Sequence, residues 1–149
     1  MRRIIYVAGL FLVFTLGAHA QGKGFGLGVI FGEPTGVSAK GWTSPRNAFD
    51  AGLAWSFRGD GYVHAHMDYL WHFGDVTTTD ERVLPYVGIG GRVGGRNNSA
   101  IAGVRVPFGI TWIPTNSRVD VFLEIAPILD LTPETDISAN GGIGVRFYF

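Results

Sequence analysis

Apolar and polar residues alternate along most of the chain after residue 21, and this region contains no convincing helical repeat of apolar residues. Alternation with a period of two is typical of a β-strand whose two faces meet different surroundings. Glycine, proline and asparagine separate the alternating segments and mark turns. The pattern predicts an all-β fold of eight antiparallel strands in meander order, at residues 25–31, 37–42, 49–57, 62–72, 85–93, 102–112, 119–127 and 141–149.

One face of each predicted strand is apolar and the other carries the charges. Every second residue of these segments, phased on the apolar residues, gives 38 positions, of which 33 are apolar or aromatic and none is charged. The 30 positions between them contain nine glycines, the histidines His64 and His66, and eight charged residues. The charged residues are Lys40, Asp50, Asp68, Arg92, Arg105, Asp120, Glu124 and Arg146.

Alternation alone does not say which face lies inside a closed sheet. A soluble lipocalin-like barrel would bury the apolar face, whereas a membrane barrel would turn it towards lipid. The polar face favours the second arrangement, because it combines glycines with four positive and four negative charges instead of many Lys, Glu and Thr. The interior of an eight-stranded barrel is just wide enough for side chains to fill it. We therefore expect the eight charges, His64 and His66 to form a structural network in the lumen.

Opposite charges can be paired across the predicted turns. Lys40 and Asp50 are symmetric about residue 45, and Glu124 and Arg146 are symmetric about residue 135. Arg105 is expected near Glu124, while Asp68 and Arg92 lie on neighbouring predicted strands. Such pairing is what a low-dielectric lumen requires, since an unpaired buried charge is costly.

The first 20 residues resemble a signal peptide and are set apart from the predicted barrel domain at residues 21–149. Arg2 and Arg3 precede an apolar run of 14 residues at 4–17, which is short for a membrane-spanning helix. Ala18 and Ala20 then give the small-x-small pattern that signal peptidase recognises, so cleavage is expected before Gln21. Export of this kind predicts a Gram-negative envelope protein.

The composition narrows the range of protein classes to which the chain can belong. The chain has no cysteine, which excludes disulfides and a lipid-modified N-terminal cysteine. After residue 20 it has 10 Lys and Arg against 12 Asp and Glu, so no electrostatic footprint for nucleic acid is present. Only 16% of the residues are charged, where soluble domains typically have about 25%.

The C-terminus carries an alternating apolar row of Ile143, Val145, Phe147 and Phe149. A chain that ends inside a strand on phenylalanine resembles the signal by which the assembly machinery of the bacterial outer membrane recognises its barrels. Trp55, Trp71 and Trp112 lie on the apolar face near strand ends, where the aromatic girdles of a membrane barrel are expected.

Six short segments, four of which contain glycine, carry a wider resemblance through their order and spacing. They are GEPTG at 32–36, DYLWH at 68–72, LPYVGIGG at 84–91, GVRVP at 103–107, FLEIAP at 122–127 and NGGIG at 140–144. The chain resembles a family of uncharacterised bacterial outer-membrane β-barrels, similar in architecture to the eight-stranded barrels of the OmpA and OmpX type. The resemblance implies the fold, a monomer in outer-membrane lipid and termini in the periplasm, but no activity. It also implies that a predicted long loop at 73–83 is periplasmic, where turns are normally short.

Candidate chemistry is sparse. His64, His66 and Asp68 share one strand face, and a metal site could use two of them with a carboxylate from a neighbouring strand; polar lumen residues explain them more simply. No serine and histidine share the apolar face, as a lipid-modifying enzyme would need. The sequence therefore predicts no catalytic, metal or cofactor site and a non-enzymatic barrel with a structural or surface-interaction role. A small-solute channel and a soluble periplasmic barrel for a lipid-like ligand are the alternatives.

Overall fold

A computed structural model describes residues 24–57, 61–74, 76–77, 81–96 and 98–149, and the structural statements below refer to these residues. The predicted signal peptide and its cleavage site lie outside this part of the chain. Within it, no helix has the length and hydropathy needed to cross a membrane.

The described residues form ten β-strands in a single sheet in which all pairs are antiparallel. Alternating side chains and closely spaced turn residues explain why strands dominate. The strands are β1 Phe25–Glu33, β2 Thr35–Trp42, β3 Asn47–Ser56, β4 Tyr62–His72, β5 Val76–Thr77, β6 Glu81–Arg96, β7 Ser99–Arg105, β8 Phe108–Pro114, β9 Val119–Thr132 and β10 Asp136–Tyr148.

The sheet closes on itself in a ring. Strands β1 to β4 and β6 pair in chain order, β9 pairs with β10, and β10 returns to pair with β1. Strands β7 and β8 both pair with β6 on one side and with β9 on the other, so the ring has eight positions. Closure leaves no open sheet edge along these strands.

The ring closes with a stagger along the strands. The stagger can be read from the register partners, followed strand by strand around the ring. The path that starts at Gly28 passes through Ser38, Gly52, His66, Arg92, Gly103, Asp130 and Asp136. Gly141 pairs with Glu33, so Asp136 is level with residue 38, ten residues beyond the starting point. A stagger of this size over eight positions corresponds to strands inclined about 40° to the axis of the ring.

The predicted strand at 102–112 is divided in two at Val106 and Pro107. Proline has no N–H to donate to the ladder. The two halves nevertheless keep one register with β6, and with β9 from Gly103 onwards, and the carbonyl of Pro107 still accepts from the N–H of Gly88 at 2.9 Å. This break is one reason why the structure has ten strands instead of the eight predicted.

The predicted loop at 73–83 is wrong at five of its described residues, which belong to strands. Strand β5 pairs with the beginning of β6, with Val76 opposite Val83 and Thr77 opposite Arg82. Strand β6 therefore begins at Glu81, four residues before the predicted start, and a small hairpin replaces the expected irregular segment. Polar, threonine-rich sequence is compatible with such a hairpin because threonine has a high β-propensity.

The ring turns its apolar face outward. Twenty-seven large hydrophobic side chains are exposed, including Phe31, Leu53, Ile125 and Phe147, whereas Lys40 and most other charged residues of the strands are buried. An apolar cluster also exists inside, at the end of the ring where β1 begins and β10 ends. It consists of Trp42, Ala48, Leu84 and Tyr148, with Ile113 packed against it.

Candidate functional site: the charged interior of the ring

The interior of the ring is lined by the polar phase of the strands. The eight charged residues expected there are all buried, with exposures from 0% to 6%. They are Lys40, Asp50, Asp68, Arg92, Arg105, Asp120, Glu124 and Arg146. Because a buried charge needs a partner, the interior can be described through the ion pairs that these residues make.

A first cluster lies towards the end of the ring where β1 begins and β10 ends. Arg146 on β10 donates from Nε to Asp120 Oδ1 on β9 at 3.0 Å, and from Nη1 to Asp50 Oδ2 on β3 at 2.6 Å. Tyr148 donates its hydroxyl to Asp120 Oδ2 at 2.5 Å. The Arg146 guanidinium also lies 3.9 Å from the ring centre of Phe122. One arginine thus links strands on both sides of the lumen.

Lys40 extends this cluster through an unusual partner. Its Nζ lies 2.9 Å from His72 Nε2, and His72 Nδ1 lies 3.0 Å from the carbonyl oxygen of Arg46. A carbonyl only accepts, so Nδ1 carries the proton and Nε2 accepts from the lysine. The ammonium also lies 4.4 Å from the ring centre of Trp42 and 5.4 Å from that of Tyr86. The lysine is therefore held by aromatic faces as well as by a ring nitrogen.

A second cluster lies near the middle of the ring, around Arg105. Its Nε is 3.0 Å from Asp68 Oδ2, and its Nη2 donates to Glu124 Oε1 at 2.6 Å. The other oxygen of Glu124 accepts from the Tyr86 hydroxyl at 2.7 Å. Three strands (β4, β7 and β9) and the neighbouring β6 are joined by these contacts.

A third pair lies towards the opposite end, where β9 turns into β10. Arg92 binds Asp130 in a bidentate manner, with Nε at 3.0 Å from Oδ1 and Nη2 at 2.6 Å from Oδ2. Planar guanidinium and carboxylate groups match in this geometry. Asp130 lies outside the predicted strands, because the strand predicted in this region ends at residue 127. The available signal was its phase, since Asp120, Glu124 and Asp130 all lie an even number of residues apart.

One of the predicted pairs is wrong. Arg146 lies opposite Asp120 in the register and Glu124 lies opposite Gly142, because the β9–β10 hairpin is centred on residue 133 instead of residue 135. Asp68 and Arg92 lie on the neighbouring strands β4 and β6, as expected, but Asp68 pairs with Arg105, and Arg92 lies opposite His66. Lys40 and Asp50 are register partners, as expected from their turn.

Glycines on the same face leave space for the large interior side chains. A Cβ on Gly144 would lie 2.2 Å from the ring of Phe122, and one on Gly109 would lie 2.3 Å from the ring of Tyr86. Gly26 stands in the same relation to the ring of Tyr148. Each aromatic ring lies over the backbone of the strand beside it, so small and large residues alternate across the lumen.

The C-terminal residues of the predicted assembly signal face outward. Ile143, Val145, Phe147 and Phe149 are all exposed, and the rings of the last two lie 5.4 Å apart. The N–H of Phe149 donates to the carbonyl of Phe25 at 3.0 Å, which ties the end of the chain to the start of β1.

The predicted histidines lie inside the ring on β4. His64 lies 5.4 Å from the ring centre of Tyr62, and His66 Nε2 lies 3.7 Å from Asp50 Oδ1 on the neighbouring strand. Asp50, His66 and Asp68 each offer one potential ligand atom, and these three atoms lie within 4.8 Å of one another.

Comparison with known proteins adds no relative: no family model, no curated protein and no solved structure matches the chain. The functional proposal therefore rests on the geometry of the ring. What the interior can do chemically is hold strands together by buried ion pairs and fill the lumen with side chains.

Proposed function

We propose that this chain is a non-enzymatic β-barrel protein of the bacterial outer membrane, with a structural or surface-interaction role and a lumen filled by polar side chains. The observation that carries the proposal is the orientation of the sheet, with apolar residues outside and charges inside. Soluble monomers rarely expose apolar patches larger than a few hundred Å², whereas 27 large hydrophobic residues are exposed around this ring.

The height of the apolar surface supports a bilayer. On β9 the outward row runs from Val121 to Leu131 without a polar residue. Ten residues at about 3.3 Å each, inclined by about 40°, span about 25 Å, which is the height of the apolar band of outer-membrane barrels. Trp55 lies near one end of the ring, and Trp71 and Trp112 lie near the other, all on the outside. Such positions suit aromatic girdles at the two interfaces.

Other observations weigh against the alternatives. A soluble barrel for a lipid-like ligand would need an apolar interior, but the interior holds Arg105, Arg146 and their carboxylates. A solute channel needs an open lumen, and the cluster around Trp42 and Leu84 fills it at one end. All three histidines of the described residues lie inside the ring, away from the surface where a lipid-modifying enzyme would act.

The proposal implies two partners, outer-membrane lipid and the barrel assembly machinery, and a protein that acts as a monomer. The structural role of the barrel requires no nucleic acid, cofactor or metal.

Fractionation of cells that express the untagged protein tests this proposal. We expect the protein in the outer membrane, with a migration on gels that changes on heating because the folded barrel resists detergent. Recovery in the soluble periplasmic fraction would contradict the proposal. Steady conductance in planar bilayers would favour the channel instead.

A further inference from the structure

Three potential metal ligands meet in the interior between β3 and β4. Asp50 and Asp68 are direct register partners, and His66 lies two residues before Asp68 on the same face of β4. One donor atom of each lies within 4.8 Å of the other two. A histidine nitrogen with two carboxylate oxygens is a ligand set that Zn²⁺ takes in proteins.

The distance between His66 and Asp50 fits a shared ion better than a direct contact. His66 Nε2 and Asp50 Oδ1 are 3.7 Å apart, which is longer than a hydrogen bond. Two ligands that each lie about 2.1 Å from Zn²⁺ at an open angle are separated by about 3.5 Å. An ion between the two atoms would therefore require little movement of the side chains.

The charges around the three residues also favour a cation. Two carboxylates that face each other directly across an antiparallel pair repel, and the Asp68 side chain is 0% exposed. The two clusters that meet here have four carboxylates against three cationic side chains within the described residues. They are Asp50, Asp68, Asp120 and Glu124 against Lys40, Arg105 and Arg146.

An arginine contacts one oxygen of each of the two aspartates. Arg146 binds Asp50 through Oδ2 at 2.6 Å, and Arg105 lies 3.0 Å from Asp68 Oδ2, which leaves Oδ1 of each carboxylate for another partner. Neither Asp68 oxygen makes an aligned hydrogen bond within the described residues. Residues that orient metal ligands in this way are a regular part of metal sites. We propose that Asp50, His66 and Asp68 bind one divalent transition-metal ion, with Zn²⁺ the best match, inside the ring.

The test uses the full mature protein, folded in detergent micelles and purified without a histidine tag. Calorimetric titration with Zn²⁺ should give one ion per chain, and Co²⁺ as a probe should show the visible absorption of a tetrahedral site. His66→Gln should lower the Zn²⁺ affinity at least about tenfold. His64→Gln is the matched control, because His64 lies on the same strand and face but outside the ligand group, and it should change the affinity less than twofold.

Heat-modifiable migration on gels checks that each variant is folded, and Asp68→Asn replaces His66→Gln if the latter does not fold. If neither folds, X-ray absorption of the Zn²⁺-loaded wild-type protein should show one imidazole ligand. Absence of binding by the wild type, equal losses in His64→Gln and His66→Gln, or a bound ion without imidazole would overturn the site. The metal site requires only that the three residues lie together inside the ring, and it does not require a membrane. A periplasmic protein that binds Zn²⁺ through His66 would therefore refute only the proposed location.

Discussion

Removal of the Glu124 carboxylate is the sharpest test of which face of the sheet is buried. Glu124 is 6% exposed and accepts hydrogen bonds from Arg105 at 2.6 Å and from Tyr86 at 2.7 Å. Breaking a buried ion pair costs about 3–5 kcal/mol, and each hydrogen bond to a charged group contributes about 1.5–3 kcal/mol. Arg105 keeps Asp68 as a partner, so we expect Glu124→Ala to lower the free energy of unfolding by about 3 kcal/mol, the low end of the range for a buried pair.

Urea unfolding in detergent micelles, followed by tryptophan fluorescence, measures this loss. Glu134→Ala is the matched control: this glutamate is exposed in the connection between β9 and β10, and its removal should cost at most about 0.5 kcal/mol. Tyr86→Phe in combination with Glu124→Ala should cost about 1 kcal/mol less than the sum of the single changes, because both remove the same hydrogen bond. If Glu124→Ala is as mild as Glu134→Ala, the assignment of inside and outside is refuted.

Three further tests, each with a comparison variant, concern the outer face, the packing of the lumen and the chain end. Ile125→Arg, near mid-height of the outward face, should destabilise the protein in lipid vesicles by about 2–4 kcal/mol, and Ile137→Arg near the rim by no more than about 1 kcal/mol; equal costs would argue against a bilayer around the ring. Gly144→Ala should cost about 1–3 kcal/mol by urea unfolding because its Cβ would lie 2.2 Å from Phe122, and Phe122→Leu should recover part of that loss; an alanine variant as stable as the wild type would contradict this close packing. Phe149→Asp should lower the amount of folded protein in the outer membrane while Phe149→Leu does not, and similar levels of the two variants would contradict an assembly role for the last residue.

The alternation of residues located the strands and sorted their faces, because the side-chain period of two is a property of any extended backbone. The register of the strands cannot be predicted from alternation in the same way. The partner of a residue in a hairpin depends on the centre of the turn, so a shift of that centre by two residues moves every partner by four. The predicted partner of Arg146 was Glu124, and the structure places Asp120 there instead.

Contacts across the lumen could not be predicted from hairpins at all. Arg146 on β10 reaches Asp50 on β3, although β1 and β2 lie between these strands in the ring and 96 residues separate the two in the chain. Such a contact depends on the curvature and the stagger of the closed sheet, which arise only when all the strands are in place. The composition of the interior was therefore predictable from phase, but its division into clusters was not.

The connections at one end of the ring bear on what the proposed membrane barrel could recognise. At the end of the ring opposite the termini, the strands are joined by residues 34, 57–61, 97–98 and 133–135, so the longest of these links has five residues. Recognition by barrels commonly uses long loops at the outer end, because loops tolerate variation that strands do not. A partner of this protein would instead have to contact the strand ends or the outward apolar rows, such as the one from Val121 to Leu131. In the proposed membrane location the apolar rows would be accessible from within the bilayer, which favours lipid or another membrane protein over a soluble ligand on that surface.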